Sequence, residues 1–125
     1  MDTATVETKA LANKVVEMCN DSKNFDVMEQ MYAEEMVSVE PDGQATHGKQ
    51  AVIDKSKKWA DENEIQSESV QGPFFHGDDR FATQTTWKVT RNDTGKTVTL
   101  NEITVYTAKD GQLVREEFFF DGDRW

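Results

Sequence analysis

Apolar positions along the chain change period three times. Val6, Ala10, Leu11, Val15, Met18 and Cys19 recur at helical spacing and predict an amphipathic first helix. The polar stretch Asn20 to Asn24 breaks it. Asp26 with Glu29 three places on matches a capping box, predicting a second helix whose buried side is Met28, Met31 and Tyr32 and whose acidic end is Tyr32-Ala33-Glu34-Glu35. From Met36 the period becomes two, with Met36, Ser38 and Glu40 on one face and Val37 and Val39 on the other. Pro41-Asp42-Gly43 turns the chain, and His47-Gly48 leads into a third helix, Lys49 to Asn63, through Val52, Ile53, Ser56, Trp59 and Ala60.

From there the pattern is extended to the end. Ile65 to His76 carries a bulge or edge signal at Gly72-Pro73, and His76-Gly77-Asp78-Asp79 is turn chemistry. Arg80 to Arg91 is rich in Thr, Trp and Phe, Asn92 to Gly95 closes a hairpin, and Lys96 to Ala108 follows. Lys109-Asp110-Gly111 turns into a last strand, Leu113 to Asp121. Helices first and a meander after them predict an α+β fold, three N-terminal helices packed on one face of an antiparallel sheet. Strongly curved, as the resemblance given below implies, such a sheet wraps around a helix and leaves a cone with one open mouth. Ile103 and Val105 oppose Leu100 and Tyr106, so the sheet is apolar on both faces and its outer face needs a partner sheet, as in a homodimer.

Composition narrows the function classes. A length of 125 residues fits one domain, here 1–125, with no repeat or linker. A net charge of −10 opposes binding to nucleic acid or anionic membranes, and Lys55, Lys57 and Lys58 read as the solvated face of a helix. No apolar run approaches the roughly 20 residues that cross a bilayer, and MDTATVETK lacks the layout of a signal peptide, so a cytoplasmic protein is expected. Cys19 is the single cysteine, and with His47 and His76 it shows no metal-ligand spacing; neither a metal nor another cofactor is expected.

The acidic YAEE, the strand closing at Glu40-Pro41, His47-Gly48 before Lys49-Gln50-Ala51-Val52-Ile53, and the hairpin NEITVYTAKDGQLVREEFFFD together resemble the nuclear transport factor 2-like superfamily. The nearest branches by motif are the SnoaL-like polyketide cyclases and the ketosteroid isomerases. In the latter, an Asp before a Pro shuttles a proton; Glu40, before Pro41, is the similar position. A second acid, kept protonated on a later strand, hydrogen-bonds the enolate oxygen, and Glu102 is similar to it. The isomerase tyrosine of the first helix corresponds to Val16, a departure that argues against steroid isomerisation; Tyr32 or Tyr106 would have to supply a hydroxyl.

Each candidate has two readings. Glu40 is a general base in an apolar pocket or a strand-end carboxylate in water. Glu102 is a pocket acid or the partner of Lys88 or Arg115 across the sheet. Glu116, between Val114 and Phe118 on one strand face, reads better as a rim charge or ion pair than as a third pocket carboxylate. His47 is a general acid at the mouth or simply a turn and helix entry. Trp59, Trp87 and Phe118, with Phe74, Phe75 and Phe120, are core residues of which two or three line the cone.

The leading expectation is a cofactor-independent enzyme moving a proton next to a carbonyl of a small apolar or aromatic molecule. Glu40 takes the proton, Glu102 or Tyr106 stabilises the oxyanion, and Trp59, Trp87, Phe118, Tyr32 and Glu116 surround the substrate. The alternative is a non-catalytic ligand-binding or dimerising module on the same cone.

Overall fold

The computed structural model describes residues 4–120. Helix α1 (Val6–Asn20) is capped by Thr5, whose side chain accepts from the Thr8 backbone N–H at 3.1 Å. Its buried stripe is Thr8, Ala12, Val15, Met18 and Cys19. This is the expected helix with its buried stripe begun at Thr8: Val6 and Ala10 are exposed.

Helix α2 (Asn24–Met31) starts two residues before the expected capping box, after Lys23, which makes no side-chain cap. Asp26 therefore lies in the first turn, where it complements the helix dipole. Val27, not Met28 or Met31, is its buried residue. The acidic YAEE is not a helix end. At Tyr32 the backbone turns extended, and strand β1 (Tyr32–Val39) follows without a loop.

The remaining elements are β2 (Ala45–His47), α3 (Lys49–Glu62), β3 (Asn63–His76), β4 (Arg80–Arg91), β5 (Thr97–Lys109) and β6 (Gln112–Phe120). Strand ends agree with the sequence pattern within about two residues; Asp121 lies outside the described residues. Asp110 and Gly111 both have positive φ, the two-residue turn whose twist suits the β5–β6 hairpin.

The sheet order is β2-β1-β6-β5-β4-β3. It is not wholly antiparallel: β1 and β6 pair parallel, with Ser38 opposite Glu116. The passage through β2 and α3 sends the chain to the far edge of the sheet, and the meander then returns to meet β1 in the same direction. Register shifts interrupt β3 between Ile65 and Ser67 and again between Gln71 and Phe74, and β6 between Leu113 and Arg115. Such bulges bend strands and give the sheet a concave face.

Against that face pack Ala12, Val15, Met18, Val27, Met36, Val52, Val70, Phe81 and Leu113. Phe81 is fully buried and stacks on Tyr106 with ring centroids 5.0 Å apart. Phe74 leaves the core: the bulge at Gly72-Pro73 turns it outward, and it is 56% exposed. On the convex face Ile103 and Phe119 are direct cross-strand partners, and each is about half exposed.

Since Phe81 has no solvent face and two aromatic neighbours, Phe81→Ala is expected to lower the unfolding free energy by about 3–5 kcal/mol. Urea denaturation measures this; a loss below about 1 kcal/mol would contradict the packing described.

Candidate functional site

Directly paired residues on neighbouring strands share a face of the sheet. Tracing the pairs Phe81–Tyr106–Glu116, Thr83–Thr104–Phe118 and Thr85–Glu102–Phe120 across β4, β5 and β6 places all nine side chains on the concave side. Trp87 joins them, with Glu68 as its cross-strand partner on β3. On β1, Ser38 continues the row of Glu116.

Glu116 is the deepest acid of the group, 1% exposed. The shift in β6 is responsible. It sets Leu113 and Glu116, rather than Val114 and Glu116, on the concave side, so the expected rim charge is overturned. The Tyr32 hydroxyl donates to Glu116 Oε1, while Oε2 is buried and accepts no hydrogen bond. Burial pushes the Glu116 carboxyl pKa up, against the opposing pull of Tyr32, Ser38 and Lys55. Burial also drives the Tyr32 and Tyr106 hydroxyls well above their usual range, so both remain protonated.

Glu40 stands one residue beyond β1, half-buried and not in apolar surroundings. Lys55 Nζ donates to Glu40 Oε1 at 2.9 Å and to Ser38 Oγ at 2.7 Å, and lies 5.4 Å from the Phe118 ring centroid. Lys55 is thus not part of a solvated face, unlike the exposed Lys57 and Lys58. It sits three residues after Val52 and four before Trp59, on the inward side of α3. That spacing is the signal that could have found it.

Glu102 is half-buried on β5 and pairs with neither Lys88 nor Arg115; Arg115 is bonded to Glu117 on the convex side. Desolvation lifts its pKa to about 7, opposed by hydrogen bonds from Thr104 and Trp87 and assisted by the charges of Glu116 and Glu40. Glu40, Glu102 and Glu116 are thus close enough to oppose one another's ionisation. Glu68, unnoticed in the sequence, is likewise lifted by desolvation to about 7 although Asn24 donates to it at 2.9 Å. Its signal was its even spacing from the apolar Val70.

The rest of the predicted set divides. Trp59 and Trp87 meet edge to face with centroids 5.6 Å apart, both half-buried, and Phe118 lies beneath Lys55. Tyr32 and Tyr106 are buried members of the core cluster. His47 is corrected: it is exposed on β2 opposite Val37, on the face turned away from Ser38 and Glu116, so it does not join the carboxylates. Among the described residues no cluster of three His, Cys, Asp or Glu is arranged to hold a metal ion. Cys19 is buried, its thiol pushed up to about 12, and acts as a small apolar side chain. Two hollows, of about 160 and 260 Å³, open elsewhere, one beside Thr8 and Asp78 and one beside Lys14 and Lys23; neither touches these residues.

A family model described as "SnoaL-like domain" matches residues 6–120. The chain belongs to the SnoaL-like domain family. A SnoaL-like polyketide cyclase candidate from Mesorhizobium loti, also labelled a carbohydrate phosphatase, is 32% identical, with 89% of this chain and 97% of that chain covered and a TM-score of 0.84. A second such candidate, from Jannaschia, is 16% identical over 97% of this chain and 91% of that chain, with a TM-score of 0.77. An isomerase candidate from Bacillus subtilis, also 16% identical, covers 92% of this chain and 86% of its own, with a TM-score of 0.73. The last two share the fold. No curated protein matches this sequence. No helix among the described residues is long and apolar enough to cross a membrane. The three helices and six-stranded sheet are the cone of the nuclear transport factor 2-like fold.

A carboxyl whose folded pKa is raised stabilises the fold fully below its unfolded value and loses that contribution as pH rises through the folded one. For Glu102 the window runs from 4.5 to about 7. Unfolding free energy should therefore fall between pH 5 and pH 8, and Glu102→Gln should remove on the order of 2 kcal/mol of that fall. Urea titrations at both pH values check it, and an identical slope in the variant would contradict the burial of Glu102.

Proposed function

We propose that this SnoaL-like protein is a cofactor-independent enzyme that moves a proton next to a carbonyl of a small apolar or aromatic molecule. The observation that carries the reading is the unlike surroundings of two neighbouring carboxyl groups. Glu40 faces an ammonium at 2.9 Å, a partner that suits the anion, whereas Glu102, lifted to about 7 by burial, keeps a proton toward neutrality. Environments that separate two acids in this way assign a base and a donor.

Glu40 takes a proton from the carbon beside the carbonyl. The C–H electron pair becomes the new C=C bond, and the carbonyl π pair moves onto oxygen. The Glu102 O–H donates to that oxygen as charge develops. Returning the proton at another carbon gives an isomer, and attack of the enolate on a second carbonyl of the same molecule closes a ring. Lys55 orients Glu40, and the paired rings of Trp59 and Trp87 with Phe118 supply apolar walls. The isomerase and cyclase names of the relatives fit this chemistry.

Deuterium exchange at the acidic carbon of aryl 1,3-diketones, followed by NMR in heavy water, reads this step without the natural substrate. Glu40→Gln should slow it about 10²- to 10⁴-fold with folding retained. The wild-type rate should fall as pH rises through about 7, where Glu102 gives up its proton. Glu102→Gln, which keeps a donor, should lose that fall. Exchange equal in wild type and Glu40→Gln would leave only a ligand-binding module.

A homodimer formed through the convex face is supported by the exposed, paired Ile103 and Phe119, with Phe74 exposed on the edge strand β3. Phe119→Lys is expected to shift the protein from dimer to monomer in sedimentation velocity. A wild-type monomer at tens of micromolar would refute this assembly.

A further inference from the structure

We propose that Glu68, Trp87 and Trp59 form a subsite for an alkylated ammonium group on the ligand. This deepens the concave-face site proposed above and rests on that location, but not on its proton-transfer step. Glu68 and Trp87 are direct cross-strand partners and share the concave face, since Val70, two residues along β3, is in the core. Trp59 meets Trp87 at 66°, so the two indoles form a corner rather than a stack. Asn24 holds one Glu68 oxygen at 2.9 Å and so aims the carboxylate. On the other side Trp87 hydrogen-bonds Glu102.

The protein shows with its own side chain how an ammonium is held on this face. Lys55 Nζ has the Glu40 carboxylate 2.9 Å away and the Phe118 ring centroid at 5.4 Å, within the range of cation–π attraction. Glu68 with Trp87 and Trp59 repeats that combination of anion and ring a short way across the sheet. There the described residues supply no cation. None of their ion pairs joins Glu68, Glu102 or Glu116 to a lysine, arginine or histidine. An alkylated ammonium fits better than a primary one, because it sheds water more readily against indole faces and demands fewer directed hydrogen bonds.

Glu68 must be ionised to hold the cation, and its burial places that step at about 7. The titratable groups that feel its charge are Cys19 from α1 and Tyr106 from β5. The thiol and phenol stay protonated across neutrality, while Glu102 titrates in the same range. The probes are choline, charged at every pH, and its neutral isostere 3,3-dimethyl-1-butanol, followed by NMR shifts of the indole N–H signals in the full chain. Choline affinity should rise about tenfold from pH 6 to pH 8 as Glu68 ionises about pH 7, and should exceed that of the alcohol at least tenfold at pH 8. Glu68→Gln should abolish both differences, and Glu102→Gln should keep most of them.

Equal affinity for the two probes, or a flat pH dependence in the wild type, would overturn the subsite even if the Glu68 variant fails to fold. So would unchanged choline binding by Glu68→Gln. Choline binding and deuterium exchange are read in separate measurements. Choline binding without deuterium exchange therefore sinks the proton-transfer reading alone, and exchange without choline selectivity sinks the subsite alone.

Discussion

A carboxyl group withdrawn from water inside a sheet has to be given partners, and Glu116 organises one end of this protein around that need. The Tyr32 hydroxyl comes to it from the start of β1, and Ser38 and Lys55 act on it from β1 and α3. Those contacts span the parallel junction of β1 and β6, where the chain joins its beginning to its end. Ser38 and Lys55 in turn carry the network outward to the half-buried Glu40. A structural requirement at depth thereby fixes the position of a carboxylate nearer the surface.

The same face uses one residue type in several electrostatic settings. Glu40 has an ammonium, Glu68 an amide, Glu102 a threonine hydroxyl and an indole, and Glu116 a phenol. Burial raises three of these acids, and the local partners decide how strongly that rise is opposed. On the proposed reading, differences of this kind divide the roles of base, donor and cation ligand among identical side chains.

Membership in the SnoaL-like family establishes the scaffold, and on such a scaffold activity follows from the side chains lining the concave face. Val16 stands where the isomerase branch has its tyrosine, and Tyr32 contributes a hydroxyl instead from the head of β1, committed to Glu116. On the proposed reading the donor for a substrate oxygen is then Glu102.

Local periodicity was enough to predict the helices, the meander, its turns and the bulge near Gly72-Pro73, because each depends on neighbours within a few residues. The resemblance to the isomerase branch, more than the periodicity, set Glu40 and Glu102 apart as candidates. Periodicity could not show that β1 runs parallel to β6, that a shift in β6 buries Glu116, or that His47 faces away from the acids, since these are matters of register between distant strands. Nor could it separate Lys55 from Lys57 and Lys58, or single out Glu68. A charged side chain shows its role only when the groups around it are known, and those groups lie far away in the chain; Asn24 lies 44 residues from Glu68.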